Sequence, residues 1–105
     1  AEDLLVEQQL KFCMNILNKL KRNQNAGPFL KPVDAVALGI PDYPEKIKHP
    51  MDISTVRKKL ETNAYKSPEE FHADMNLMFN NCYTYNAPGS VVHEMGRNLQ
   101  KVYES

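Results

Sequence analysis

"SPEEFHADMNLMFNNCYTYN", residues 67–86, decides the fold. Ser67 stands at an N-cap, Pro68 at the first helical position, and Glu70 completes a capping-box pattern three residues after the serine. Phe71, Met75, Met78, Phe79 and Cys82 then recur at steps of three and four, with no Gly or internal Pro to interrupt them. The stretch predicts a long amphipathic helix that turns one stripe to a core. It closes on Asn86, ahead of "APG" at 87–89, and this asparagine admits two readings. A short amide ends helices well, because it bonds to nearby backbone and tolerates the left-handed conformation. The same group is also a fixed donor and acceptor suited to the rim of a pocket.

On the C-terminal side, Val92, Met95, Leu99 and Val102 predict a further helix, in which Gly96 marks a close helix contact at some cost in propensity. On the N-terminal side, "MDISTVRKKL" at 51–60 offers Asp52 as an N-cap and Ile53, Val56 and Leu60 at i, i+3 and i+7, with "TNAY" at 62–65 as the stop. From Leu4 to Lys21 the residues Leu5, Phe12, Ile16 and Leu20, with Leu10, Cys13 and Leu17 beside them, predict the first helix. Four helices in 105 residues predict an all-α domain spanning 1–105, a four-helix bundle.

Between the first two helices, residues 23–51 hold five of the seven prolines and two of the four glycines. So long a connection in a small bundle is either disordered or functional. Phe29, Leu30, Val33, Val36, Leu38, Ile40, Tyr43, Ile47 and Met51 are too many apolar groups for a solvated linker, so the segment is expected to be ordered and to pack on the bundle. A cavity is then expected where this loop meets the helix ends, and Asn86 would stand at its rim.

Composition narrows the function. Thirteen basic and thirteen acidic residues leave no net charge, so the phosphate attraction that drives nucleic-acid binding has no global source. "KLKR" at 19–22 and "RKK" at 57–59 remain as local basic patches, read first as solvated helix faces. The two cysteines, Cys13 and Cys82, lie in apolar helical patterns, which fits free thiols in a reducing compartment. No apolar run approaches the roughly 20 residues of a membrane span. The first ten residues, "AEDLLVEQQL", lack a signal peptide's basic start, and the chain reads as a domain cut from a longer protein.

At this point the residues resemble a known family. "GPFLKPVDAVALGIPDYPEKIKHPMDISTVRKKL" followed by "FHADMNLMFNNCYTYNAPGSVV" looks like a bromodomain of the BET (bromodomain and extra-terminal) class. "PVD", "IPDY", "HPMD" and "NCYTYN" keep the family's order and spacing over nearly the whole chain, and the "KHPMD" wording is most like a second bromodomain, with deviations that suggest a fungal member. The resemblance implies a left-handed four-helix bundle that reads acetyl-lysine on histone tails in the nucleus, with no cofactor or metal and no membrane, monomeric as an isolated domain. It implies that Asn86 bonds the acetyl carbonyl, that Tyr43 holds a pocket water and that Val92 takes the gatekeeper place. Phe29, Val33, Leu38, Ile40, Cys82 and Tyr85 fall on wall positions, and Pro28 keeps its place beside Phe29. One position departs: where BET domains usually read Trp-Pro-Phe this chain reads "GPF" from Gly27, and it contains no Trp, which puts the outer apolar shelf in doubt.

The implied chemistry suits these residue types. Acetylation turns an ammonium into a neutral amide with one carbonyl acceptor and a methyl, so a reader needs a donor and a dry cavity. An asparagine NH2 donates without acting as a counter-ion for unmodified lysine, which would lose several kcal/mol of hydration on entering an apolar site. Residue by residue, blander roles stand beside these: Asn86 as a helix cap, Tyr43 as a packed loop ring, Val92 and Phe29 as core. Rival functions are thinner. Catalysis would rest on Cys82 with His72 or His93, yet His72 points about 80° away from Cys82 around the helix. Two Cys and three His show no paired metal-ligand spacing. The stronger alternative is a helical protein- or DNA-interaction domain that uses Arg57, Lys58 and Lys59; a weak DNA contact through such patches is compatible with a BET-like reader.

Overall fold

The computed structural model describes residues 2–104 of the chain, with side-chain surroundings from Leu4 onward. Four long helices, α1 (Glu2–Lys21), α4 (Ile53–Glu61), α5 (Pro68–Tyr85) and α6 (Val91–Glu104), pack around one core, and no strand occurs among the described residues. The all-α bundle expected from the periodicity is the architecture observed.

The connection after α1 is ordered. It folds into a 3-10 turn at Gln24–Phe29 and two one-turn helices, α2 (Ala35–Leu38) and α3 (Tyr43–Lys46). Each starts where a side chain or a proline favours it. Asn23 accepts from the Asn25 N–H, Asp34 accepts from the N–H groups of Val36 and Ala37, and Pro44 occupies the first turn of α3. Ala26, Phe29, Tyr43 and Ile47 from this segment are buried. Val36 and Leu38 are not: Val36 is 92% exposed and Leu38 64%. A four-residue helix has too few faces to bury every apolar group it carries.

The core is built from Leu17 and Leu20 of α1, Ile53 and Val56 of α4, Met75, Met78 and Phe79 of α5 and Leu99 of α6. Burying each such side chain contributes about 1.5–3 kcal/mol before conformational entropy is subtracted. Asp52 begins α4 as expected, accepting from the Thr55 N–H at 3.2 Å and from the hydroxyls of Ser54 and Thr55 while itself only 4% exposed. Gly96 of α6 meets the predicted close contact: a Cβ there would lie 2.8 Å from the Cys82 Sγ and 3.3 Å from the Phe29 Cζ.

Two local expectations are corrected. The capping box at the start of α5 does not form as drawn. Ser67 has the extended N-cap backbone but its side chain makes no capping bond, and the Glu70 carboxylate reaches one residue further back, to the Lys66 N–H at 3.2 and 3.3 Å. In α1, Leu5 and Phe12 stand 56% and 64% exposed, whereas Cys13, Leu17 and Leu20 carry the inner face with Leu10 and Ile16 at its margin. The helix has two adjacent apolar stripes, and only contact with α4, α5 and α6 selects between them.

Candidate functional site

A cavity of about 720 Å³ opens between the long connection and the ends of α5 and α6. That size lies within the range of small-ligand pockets. Its lining brings together all ten residues singled out from the sequence: Pro28, Phe29, Val33, Leu38, Ile40, Tyr43, Cys82, Tyr85, Asn86 and Val92. They come from three places in the chain. Pro28 to Tyr43 arrive on the connection, which is pinned to α5 where the Asn81 side-chain amide donates to the His49 carbonyl at 2.8 Å. Cys82 and Tyr85 end the inner stripe of α5, Asn86 follows as its cap, and Val92 enters on the first turn of α6.

Asn86 resolves the question raised by its place in the sequence. It is the C-cap of α5, with extended backbone at φ −96° and ψ 130°, not the left-handed conformation. Its backbone N–H and its side-chain Nδ2 both donate to the Cys82 carbonyl, at 2.9 and 3.0 Å. The helix cap thus orients the amide. Its second side-chain N–H has no oxygen or nitrogen partner among the described residues, and Nδ2 makes only a long contact of 3.8 Å to the Cys82 Sγ. Capping and facing the cavity belong to one geometry.

The walls are fixed by aromatic and hydrogen-bonded contacts. Phe29 meets Phe79 edge to face at 6.2 Å, coupling the wall to the core, and Tyr43 meets Tyr85 edge to face at 4.9 Å. The Tyr85 hydroxyl donates to the Asp42 carboxylate at 2.7 Å, so Tyr85 offers the cavity its ring and keeps its polar end outside. That hydrogen bond holds the Asp42 carboxyl below its ordinary range and the Tyr85 phenol above its own. The link is present at neutral pH, weakens as pH falls through the lowered value of Asp42 and is lost as pH rises through the raised value of Tyr85. Burial pushes the Tyr43 phenol up and keeps it a neutral hydroxyl. No hydrogen bond joins that hydroxyl to a described protein group.

Cys82 is 6% exposed, and its thiol donates to the Val92 carbonyl at 3.4 Å. Burial raises its pKa, outweighing the opposing hydrogen bond from Asn86. The imidazoles weighed as its partners bond elsewhere: His72 Nδ1 lies 2.6 Å from the Tyr103 hydroxyl, and His93 Nδ1 lies 2.9 Å from the Asn86 carbonyl. Of the basic cluster on α4, Arg57 pairs with Glu61 at 2.9 Å and Lys59 with Asp74 at 2.7 Å, and Lys58 is exposed.

Among the lining residues the sequence reading missed Met51, Met78 and Asn81, together with Leu30, Lys31, Pro32, Asp34 and Ala37 of the connection. Met78 had a signal, because residues 78, 82 and 85 continue one helical stripe from the core into the cavity. Gly27 also lines the cavity, has no positive φ, and has nothing within 4 Å of where a Cβ would sit, so a Cβ is accepted there without strain.

The comparisons with known proteins agree with this geometry. The bromodomain family model matches residues 13–98. The SWR1 complex bromodomain subunit bdf1 of Schizosaccharomyces pombe is 50% identical over 96 residues, 91% of this chain and 17% of that protein. Bromodomain-containing protein C631.02 of the same yeast is 46% identical over 99 residues, 91% of this chain and 14% of that protein. The chain thus spans less than a fifth of these relatives' length. Among solved structures, the second bromodomain of Candida albicans Bdf1, bound to an imidazopyridine, matches with a TM-score of 0.88 at 40% identity, over 92% of this chain and 94% of that one. The likeness to a fungal second bromodomain read from the "HPMD" region agrees with these matches. The chain belongs to the bromodomain family.

Proposed function

We propose that residues 1–105 act as one acetyl-lysine reader that binds acetylated histone tails in the nucleus and serves transcription regulation on chromatin. The observation that carries this reading is the Asn86 amide, held by its own helix end in a mainly apolar cavity, its second side-chain N–H meeting only the Cys82 Sγ at 3.8 Å, whereas the other lining amide, Asn81, is spent on the His49 carbonyl. In this reading that N–H donates to the acetyl carbonyl, the Tyr43 hydroxyl orders a water that reaches the same oxygen, and Phe29, Val33, Ile40 and Val92 enclose the methyl and the lysine stem. Unmodified lysine is rejected by the cost of stripping water from its ammonium. One side chain of about eight heavy atoms supplies only a few kcal/mol, so a single site binds in the high micromolar to millimolar range and avidity comes from further contacts. One relative's description as an SWR1 complex subunit supports a chromatin setting. Mapping backbone amide shifts tests the placement: an acetylated tail peptide should move resonances of residues 28–43 and 82–92, and the unmodified peptide should leave them in place.

Two further results are expected at this site. Cys13 and Cys82 are buried and burial raises both thiol pKa values, so both should alkylate slowly in the native state. Saturating acetylated peptide should slow Cys82 further and leave Cys13 unchanged, as followed by mass spectrometry; fast labelling of Cys82 that ignores the peptide would move it off the wall. The second concerns Gly27. Acetyl-lysine mimics that fill only the floor near Asn86, Tyr43 and Phe29 should bind wild type and Gly27→Trp alike. Ligands that lean an aromatic ring on the outer rim should gain about 1 kcal/mol from the added indole. Calorimetry on both proteins reads the difference, and no gain in a folded Gly27→Trp would mean that Gly27 is not the shelf position.

A further inference from the structure

We propose that His93 is a positioning residue for Asn86. The inference rests on the acetyl-lysine reading above. At Asn86 the chain leaves the helical conformation, with ψ 130°, so the direction of its carbonyl is no longer set by the α5 hydrogen-bond ladder. His93, on the first turn of α6, reaches back and meets that carbonyl with Nδ1 at 2.9 Å. A carbonyl only accepts, so Nδ1 carries the proton and the imidazole is the donor. Three further contacts hold the imidazole and the turn. The His93 backbone N–H is bonded to the Ser90 Oγ at 3.3 Å, its ring lies tilted against the Tyr83 ring with centroids 4.9 Å apart, and the Tyr83 hydroxyl donates to Gln100 of α6. The five-residue link 86–90 contains Gly89 at φ 88° and one internal backbone bond, from the Ser90 N–H to the Ala87 carbonyl at 3.1 Å, so the His93 bond is what ties its first carbonyl to α6.

The result is a clamp across the junction of α5 and α6. The Cys82 carbonyl holds the Asn86 side chain from below, His93 holds its carbonyl from behind, and Cys82 in turn donates to the Val92 carbonyl at 3.4 Å. Fixing the Asn86 peptide plane limits the directions its side chain can take, so the amide is held at the cavity lining, with only the long Cys82 Sγ contact to give up, before a ligand arrives. Pre-organisation of this kind raises affinity without touching the ligand. Nothing here places His93 against the ligand itself, since it is not among the cavity-lining residues.

The test is a double-mutant cycle read by calorimetry with an acetylated tail peptide. His93→Phe keeps a ring against Tyr83 and removes the donor; His93→Asn restores an N–H at the place of Nδ1. We expect His93→Phe to weaken binding about 3- to 10-fold, the value of one hydrogen bond, and His93→Asn to recover most of it. In an Asn86→Ala background His93→Phe should change nothing further, which a purely structural role would not produce. Thermal melts report whether each variant folds, and the Asn variant keeps the test open if Phe does not fold. If Asn86→Ala weakens binding but His93→Phe leaves it intact, or weakens it equally in both backgrounds, the positioning role is wrong. If Asn86→Ala itself leaves binding intact, the acetyl-lysine reading fails instead.

Discussion

Gly96→Val should cost the fold about 1–3 kcal/mol, the usual range for forcing extra carbon into a packed interior. The first added atom already lies 2.8 Å from the Cys82 Sγ and 3.3 Å from the Phe29 Cζ, and both of those groups are buried, with room to give way only toward the cavity they line. Helix propensity returns little, because a β-branched residue regains only part of what glycine gives up. The cost should also reach the site. Cys82 and Phe29 line the cavity, so the strain falls on two walls at once. Denaturant melts of wild type, Gly96→Ala, Cys82→Ala and the Gly96→Ala/Cys82→Ala double variant check this. Removing the sulfur should relieve most of what the alanine costs, giving a coupling well above the few tenths of a kcal/mol expected of independent sites. Strict additivity would mean that α6 does not pack on Cys82 through Gly96.

Asn86→Ala should leave folding nearly unchanged and remove roughly 1–3 kcal/mol of acetylated-peptide binding, the cost of leaving the acetyl carbonyl without its donor in a dry site. The stability side follows from the cap geometry. The backbone N–H of residue 86 still reaches the Cys82 carbonyl in the variant, and only the side-chain bond to the same oxygen is lost. The two effects therefore separate: melts read the cap, titrations read the donor. A variant that loses stability and keeps binding would make Asn86 a helix cap and nothing more.

Much of this site was legible because its residues fall on strong local patterns. The stripe from Phe71 to Cys82 named α5, and the apolar content of residues 23–51 argued for an ordered connection, which the buried Phe29, Tyr43 and Ile47 confirm. The positions of the cavity-lining residues came from resemblance over motifs such as "IPDY" and "NCYTYN", not from periodicity. What stayed hidden depends on tertiary choice. α1 offers two neighbouring apolar stripes, and Phe12 turned outward only because Cys13, Leu17 and Leu20 meet the other helices. The one-turn helices α2 and α3 are too short for any period to register. Glu70 had an acceptable backbone donor one residue before the expected one, the Lys66 N–H, and sequence spacing does not choose between the two. His93 read only as a candidate base because its bond is to a main-chain carbonyl seven residues away, across a turn.

The central claim is that this cavity distinguishes an acetylated lysine from an unmodified one. Isothermal titration of the wild-type domain with a matched pair of histone-tail peptides, identical except for the acetyl groups, tests it most directly. The acetylated peptide should bind in the high micromolar to millimolar range and the unmodified peptide should show no measurable heat of binding at the same concentrations. Equal binding of the two peptides, weakening steeply as salt is raised, would contradict the account and make the domain an electrostatic interaction module instead.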